Sequence, residues 1–285
     1  MELHRTRGEK AFDILNYTVL ALVAIATVLP FLYVIVSSFS ATEALLPTVF
    51  TLDGYRYIFS TNTFVRSLGV SIYVTVVGTL VNIVFTSLMA YPLAKQTLIG
   101  RSPLLLLVLF TMLFGGGMIP TYFVVKDVGL IDSLWSLIIP GTISAFNLIV
   151  LKNFFQQIPD GLEESAKIDG ANDLKILVRI VLPLSLPAIA TFSLFYAVGH
   201  WNAYFNAILY LNDASKWPVQ VLMRQIVIMA QGNFGDSSDF DQETIIQPQA
   251  IRMAVIVIST IPILLVYPFL QKHFTKGVLL GSVKG

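Results

Sequence analysis

The most informative segment for the fold runs from Ile158 to Pro187 and reads IPDGLEESAKIDGANDLKILVRIVLPLSLP. It is a charge-dense segment within a largely apolar second half of the chain. Asp160 can cap a first helix, and Glu163 three residues later would complete a capping box. Asp169-Gly170 then ends that helix, because glycine tolerates the left-handed conformation that a sharp corner needs. We therefore expect a short helix followed by a built-in corner.

A second short helix is predicted directly after the corner. Four apolar residues recur at the helical spacing i, i+3, i+4 and i+7, namely Leu174, Leu177, Val178 and Val181. Pro183 and Pro187 then mark the entry into the next apolar segment. A part-polar pair of helices joined by a corner, at the edge of a membrane, indicates a docking surface for a soluble partner.

The composition points to a membrane protein. Of the 285 residues, 55% are hydrophobic and only 12% are charged, and the mean hydropathy is +0.76. A soluble domain carries about 25% charged residues, so this chain has too few to cover a soluble surface. The net charge of +1 argues against a nucleic-acid partner. The absence of cysteine excludes disulfides, thiol catalysis and cysteine-ligated metals.

Six windows without Asp, Glu, Lys or Arg are long enough to cross a bilayer, which takes about 17–25 residues. A charge at the centre of a span costs about 2.5–3.5 kcal/mol, so their absence is expected. We predict an all-α membrane protein with six transmembrane helices, forming one domain over residues 1–285. The windows are Ile14–Thr42, Ser67–Ala94, Ser102–Val125, Ser133–Leu151, Ile180–Asn212 and Met253–Gln271.

The distribution of Lys and Arg predicts the orientation. With both termini inside, twelve Lys and Arg residues lie in inside segments and six in outside segments. This places the two short helices, residues 159–182, in the cytoplasm. It places the long, acid-ended segment 213–252 outside. Loops of that length are usually functional or disordered. Two interpretations therefore stay open for it, contact with an extracytoplasmic partner and a flexible solvated loop.

Gly115-Gly116-Gly117 lies inside the third window. Small residues are enriched where membrane helices pack closely. The glycines therefore indicate close packing or a local break in the helix, and alternatively a hinge or a break that lines a pathway.

Catalytic motifs are missing from the sequence. His4, His200 and His273 form no HExxH, and no GxSxG nucleophile elbow occurs. No span holds an acidic residue, and no GxxxxGK[ST] phosphate loop is present. We expect neither an enzyme nor a metal site, and any ATP that is used must be bound by another subunit.

Polar and aromatic residues in the fifth window suggest a path for a carbohydrate. Trp201 and Tyr204 are three residues apart and Asn202 and Asn206 four, so each pair would share a face of one helix. Aromatic rings stack on sugars, and amides hydrogen-bond to hydroxyls. The alternative is an interfacial aromatic belt with amide bonds between helices, and amide bonding between helices is also the interpretation of Asn82 and Asn147. The predicted pathway residues are Asn147, Tyr196, Trp201, Asn202, Tyr204 and Asn206.

The two short helices also resemble a known pattern. Glu164-Ser165-Ala166, Asp169-Gly170-Ala171, Ile180 and Leu182-Pro183 are similar to the "EAA" loop of ABC importer permeases, with Ser165 where the family usually has alanine. In that family the loop is the coupling helix, which sits in a cleft of an ATPase subunit. The resemblance assigns ATPase coupling to Glu163, Glu164, Ser165, Ala166, Asp169, Gly170, Ala171 and Pro183.

The likeness extends over most of the chain. The run Phe114–Tyr122, Ile139-Pro140-Gly141 and Trp201-Asn202 resemble the oligosaccharide branch of carbohydrate ABC permeases. The last residues, Gly281, Ser282, Val283, Lys284 and Gly285, resemble the tail of a maltose-importer permease, which reaches between the two ATPases. Relatives with the same Gly-Gly-x-Ile-Pro-Thr-Tyr run resemble importers of uronic-acid oligosaccharides, and alginate is the specific expectation. No span holds a cation to meet a carboxylate, so we expect the partner permease or the binding protein to supply it.

The resemblance implies a type I ABC importer permease, multi-pass in the bacterial cytoplasmic (inner) membrane and surrounded by lipid. The implied partners are a homologous permease in a heterodimer, two ATPase subunits that bind ATP and Mg, an extracytoplasmic solute-binding protein and an oligosaccharide substrate. No cofactor is expected in this chain. Two alternatives stay open, an ATP-independent channel or carrier and an ABC permease for another solute class.

Overall fold

The computed structural model describes residues 7–41, 49–229 and 248–282, and this part of the chain is almost entirely helical. The first helices are α1 (Arg7–Ser38), α2 (Asp53–Ser60), α3 (Asn62–Ala94), α4 (Arg101–Leu113), α5 (Met118–Asp127) and α6 (Ala145–Phe155). They are followed by α7 (Asp160–Ile168), α8 (Asp173–Ile176), a π-helical turn (Leu177–Val181), α9 (Leu182–Leu184) and α10 (Leu186–Asn202). The last are α11 (Phe205–Tyr210), α12 (Val219–Met229) and α13 (Pro248–Ser282).

Contacts divide the chain into two compact units. The first comprises Met1–Thr61 and Gln225–Thr260, and the second comprises Asn62–Arg224 and Ile261–Gly285. Within the first, the Ser38 hydroxyl lies 2.6 Å from that of Tyr55, and α2 touches the backbone of Ala250 through Gly54. The candidate sites described below lie in the second unit. The assignment of residues 1–285 to a single domain stays a prediction.

Three helices are long and apolar enough to span a membrane, at 8–38, 62–94 and 249–266. Three further pairs of helices pass the same test together but are bent at a short break, by 117° at 101–127, 53° at 134–155 and 86° at 173–202. Counting each bent pair as one span gives up to six spans in the described residues, in agreement with the predicted number. The apolar side chains of α1 are mostly exposed, as expected for a helix that faces lipid or a membrane partner.

The three glycines at 115–117 break the helix in the third window. Helix α4 ends at Leu113 and α5 begins at Met118, and Gly117 has a φ of +84°. A Cβ built on Gly115 or Gly116 would have nothing within 4 Å. None of the described residues packs closely against these two glycines, and of the predicted alternatives the helix break is confirmed.

Helix α3 is the central element of the second unit. It packs against α6 and α10 around a core that includes Leu148, Leu151, Phe192 and Tyr196. The buried face of α3 carries small residues, which let neighbouring helices approach closely. At Gly78 a Cβ would come within 2.6 Å of Nε2 of His200, so only glycine fits there.

Candidate coupling surface and transport pathway

Helix α7 begins differently from the prediction. Pro159 occupies the N-cap position and no side chain caps the helix, so the capping box of Asp160 and Glu163 is wrong. Asp160 is instead the first helical residue, where its charge favours the positive helix end. Glu163 is not available for capping because its carboxylate is turned toward α3.

Glu163 forms an ion pair with Lys95, which follows the last turn of α3. The Tyr91 hydroxyl donates to the same carboxylate at 3.4 Å, and the Lys95 ammonium lies 4.5 Å from the Tyr91 ring centroid. The Glu163 and Lys95 side chains are only 15% and 26% exposed. Burial lowers the pKa of Lys95, and the nearby charge of Lys167 lowers it further. Glu163 thus fastens α7 to the end of a long apolar helix.

The corner after α7 is a Schellman motif. Gly170 has a φ of +79°. Its N–H donates to the Lys167 carbonyl at 3.0 Å, and the Ala171 N–H donates to the Ala166 carbonyl at 2.9 Å. These two bonds satisfy carbonyls that the helix end would otherwise leave free, and they require the left-handed conformation at Gly170. The corner predicted at Asp169-Gly170 is confirmed.

The predicted coupling residues fall on two sides of this corner. Glu164, Ser165, Asp169 and Gly170 are exposed. Ala166 and Ala171 pack against the core of the second unit, whereas Pro183 is exposed. The roles of all eight residues in ATPase coupling stay predictions.

Two apolar side chains are exposed at this face of the unit, and the sequence patterns did not predict their exposure. Ile168, the last residue of α7, is 86% exposed, and Ile99, between α3 and α4, is 96% exposed. A cleft of about 590 Å³ lies beside the corner, and its lining includes Ile99, Lys95 and Lys167. Exposed isoleucines beside an exposed carboxylate form a mixed surface suited to a protein partner. We name the exposed residues Glu164, Ser165, Ile168 and Ile99 the coupling surface.

The apolar stripe predicted after the corner is only half right. Leu177 and Val181 are buried, but Leu174 and Val178 are exposed, and Ile176 is buried in their place. The reason is the π-helical turn Leu177–Val181, whose extra residue rotates the buried face. Pro183 follows, and because it has no N–H to bond to the carbonyl four residues earlier, a regular α-helix is weakened there.

Tyr196 lies at the centre of the packed helices. It is buried, its hydroxyl is 2.9 Å from the Thr86 hydroxyl, and it accepts a hydrogen bond from the Ser144 N–H at 3.1 Å. These contacts link α10 to α3 and to the start of α6. Asn147 is also buried, one turn into α6, where its N–H donates to the Ser144 hydroxyl at 3.4 Å. Both remain predicted pathway residues, although Tyr196 is engaged within the protein.

A second polar link confirms the interhelical role predicted for Asn82. Its Nδ2 donates to the Gly141 carbonyl at 2.7 Å, and its Oδ1 lies 2.9 Å from Nε2 of His200. Since an amide oxygen can only accept, Nε2 of His200 carries the proton. The pair links α3 and α10 to the segment that contains Gly141. The ring of His200 therefore lies close to α3, and this leaves room only for glycine at position 78.

The fifth window is not one continuous helix. Helix α10 ends at Asn202, Ala203 is extended, and α11 begins at Phe205. The faces predicted to be shared by Trp201 with Tyr204 and by Asn202 with Asn206 are therefore wrong, because helical spacing does not continue through a break.

The predicted pathway residues around this break have different surroundings. Trp201 is buried and lines an apolar cavity of about 200 Å³. Asn202 is exposed, and its Nδ2 donates to the Val198 carbonyl at 3.0 Å. Asn206 is exposed, and Tyr204 is half-buried. Their contact with substrate stays a prediction.

Arg224, near the break, belongs to the segment 213–252 that the sequence predicts to lie outside. Arg224 lies on α12, and its guanidinium carbon is 4.5 Å from the ring centroid of Tyr204. No spacing rule could have paired residues on two helices joined by a non-helical connection. Part of the tail predicted to contact the ATPases, Val283, Lys284 and Gly285, lies outside the described residues, and Gly281 and Ser282 end α13.

Lys216 and Asp132 form an ion pair in the second unit, which we name the brace. The Lys216 ammonium donates to both the carbonyl and Oδ2 of Asp132, each at 2.7 Å. Oδ1 of Asp132 accepts from the N–H groups of Asn212 and Asp213. The hydrogen bond from Lys216 and those from the backbone lower the pKa of Asp132. The brace anchors the start of the segment 213–252.

Broken apolar helices, buried polar links between them and a rigid helix corner define a membrane transport component. The chain belongs to the family described as "Binding-protein-dependent transport system inner membrane component", whose model matches residues 96–280. Membership in this family argues against the alternative of a stand-alone channel or carrier.

Two relatives from Bacillus subtilis (strain 168) match along almost their whole length. The chain is 61% identical to "Polygalacturonan/rhamnogalacturonan transport system permease protein YtcP", over 97% of this chain and 99% of the relative. It is 56% identical to "Protein LplC", over 99% of this chain and 98% of the relative. Both matches include the coupling surface and the broken fifth window.

A solved structure has the same fold. One chain of a bacterial ABC transporter involved in the import of the acidic polysaccharide alginate superposes with a TM-score of 0.89 and 31% sequence identity, covering 95% of this chain and 99% of that chain. The fold is therefore the type I ABC permease fold that the EAA-like loop predicts, and the chain is a permease subunit of a sugar ABC importer.

Proposed function

We propose that this chain is one of two permease subunits of an ATP-driven importer of uronic-acid oligosaccharides. The proposal rests on the chemistry shared by the polysaccharides for which the related transporters are named. The relative at 61% identity is named for polygalacturonan and rhamnogalacturonan transport, and the structural neighbour at TM-score 0.89 imports alginate. All three polymers contain uronic acids. We propose the class, uronic-acid oligosaccharides, rather than alginate alone.

The coupling surface carries the mechanical part of the proposal. Glu164 and Ile168 would enter a cleft of an ATPase subunit, and the two hydrogen bonds of the Schellman corner would make α7 move together with the segment that follows. The ion pair of Glu163 with Lys95 would pass this movement to α3, the central helix of the second unit. ATP-driven closure of the partners would then switch the spans between inward-open and outward-open states.

The assembly follows from the same reasoning. Two ATPase subunits, which bind the ATP and Mg, would dock from the cytoplasm, where the Lys and Arg count places residues 159–182 and both termini. The chain itself would carry no cofactor and catalyse no reaction. A homologous permease would complete the pathway, and a solute-binding protein would deliver the sugar from outside, in keeping with the family's description.

Uptake into proteoliposomes tests the proposal. The permease pair, its ATPases and its binding protein are reconstituted together, and labelled oligogalacturonides, alginate oligosaccharides and maltodextrins of matched length are compared. We expect ATP-dependent uptake of at least one uronide and much slower uptake of maltodextrin. Maltodextrin uptake that far outruns every uronide would refute the substrate class, and uptake without ATP would refute the coupling.

A further inference from the structure

Arg224 lies over the aromatic ring of Tyr204. The two are 4.5 Å apart, from guanidinium carbon to ring centroid. The ring is itself half-buried against a packed cluster that includes Tyr210, Leu211 and Val221. A cation–π contact of this kind does not use up the N–H donors of the guanidinium, which can still bind a ligand. Arg224 is exposed, so those donors can be reached.

The charge of Arg224 is not neutralised within the part of the chain that the structure describes. The carboxylates of Asp132 and Asp213, in the same unit, are bound by Lys216 and by backbone N–H groups. No ion pair or hydrogen bond joins Arg224 to any described residue. Its N–H donors, five in a fixed fork, can therefore receive a planar anion in bidentate fashion.

The residues beside this contact are among those that the sequence predicts to line a pathway. Tyr204 lies at the break between α10 and α11, with the exposed amides of Asn202 and Asn206 on either side in sequence. Non-helical backbone in a membrane is tolerated where it is enclosed by protein or lines a water-filled cavity. Helix α10 has 17 residues and is therefore about 25 Å long, which puts the break far from the coupling surface.

We propose that Arg224, stacked on Tyr204, binds the carboxylates of the oligosaccharide as it passes through the extracytoplasmic part of the pathway. The inference rests on the proposed function, because it requires an acidic substrate. It also revises the expectation that another subunit must supply the cation. A uronide chain presents a carboxylate on successive sugars, so one exposed guanidinium can release one group and bind the next. An exposed charge pair is weak enough to permit this exchange.

The test uses the complete importer in proteoliposomes, with a charge series at one position. Arg224→Lys, Arg224→Gln and Arg224→Glu are compared with wild type at equal amounts of assembled complex, with labelled oligogalacturonide and saturating binding protein. Arg66, an exposed arginine at the start of α3 in the same unit, provides the matched controls Arg66→Gln and Arg66→Glu. We expect uptake to fall in the order wild type, Lys, Gln, Glu. The loss should be about ten-fold for Gln and larger for Glu, with wild-type rates for both controls.

Each outcome decides a different point. Equal uptake by the Gln and Glu variants would overturn the inference, because a packing role does not distinguish charge in side chains of the same size. Equal losses at Arg66 would overturn it as well, because they would reflect general surface charge. Wild-type complex that carries no uronide refutes the proposed function itself, whereas uronide uptake that is insensitive to Arg224 refutes only the role of this residue.

Discussion

The carboxylate of Glu163 on α7 is paired with the ammonium of Lys95 at the end of α3. The pair joins the short helix of the coupling surface to the long helix around which the second unit packs. Because both side chains are largely shielded from water, the pair is screened less than a surface ion pair. We therefore propose it as one contact through which movement of α7 would reach the spans.

Reversing the pair tests this link. Glu163→Lys alone would place two cations together and leave Tyr91 without its acceptor, at a cost of about 1–3 kcal/mol. We expect ATP hydrolysis to continue while uptake falls. The double variant Lys95→Glu/Glu163→Lys should recover much of the uptake, measured as sugar moved per ATP hydrolysed. A double variant as impaired as the single one would argue against a direct mechanical role for the pair.

Backbone conformation, rather than space, limits residue 170. A Cβ at Gly170 would have nothing within 4 Å, but the φ of +79° costs about 1–2 kcal/mol for most side chains. We expect Gly170→Leu to uncouple ATP hydrolysis from uptake while the protein still inserts. Gly170→Asn should retain coupling, because asparagine tolerates this conformation. Equal behaviour of the two variants, in the same uptake and ATPase assays, would contradict the explanation.

Space, by contrast, limits residue 78. Gly78→Ala would put a methyl group against the His200 ring and disrupt its bond to Asn82, a change that typically costs about 1–3 kcal/mol. Gly69→Ala, on the same helix with nothing within 4 Å of its Cβ, is the matched control and should be neutral. Melting of the detergent-purified complex, followed by size-exclusion chromatography, measures both. A Gly78→Ala melting temperature equal to that of the control would show that α3 and α10 are not this close.

The exposed isoleucine at the corner should matter for partner binding. Ile168→Glu introduces a charge at the centre of the coupling surface and should abolish co-purification of the ATPase from solubilised membranes, because a desolvated charge opposes docking. Val128→Glu changes an equally apolar exposed residue after α5 and should leave the ATPase bound. Retention of the ATPase by Ile168→Glu would place the docking surface elsewhere.

The Asp132–Lys216 brace predicts a pH dependence. The folded-state pKa of Asp132 is lowered from 3.8, so its contribution to stability is fully present above that value and is lost as pH falls through the lower, folded-state pKa. Asp132→Asn should therefore lower stability near neutral pH but make little difference at strongly acidic pH. Limited proteolysis after Asp213, at several pH values, measures opening of this end. An Asn variant that opens with the same acid dependence as wild type would exclude Asp132 as the titrating group.

Features that depend on local chemistry could be predicted from the amino-acid sequence. The scarcity of charge established a membrane protein, because a charge in a span is costly. Asp169-Gly170 located the corner, since few residues other than glycine adopt its conformation. The six apolar windows predicted the number of spans that the bent helices allow.

The directions in which side chains point, and hence their contacts, follow from tertiary packing. Glu163 has the sequence of a capping residue, yet it turns toward Lys95, which is 68 positions earlier in the chain. The π-helical turn rotates the stripe that includes Leu174, and the break at Ala203 separates residues that helical spacing would have placed on one face. Arg224 on α12 contacts Tyr204, which precedes α11, although helical spacing does not relate the two residues. A period of 3.6 residues holds only within an unbroken helix, and contacts between helices follow from packing.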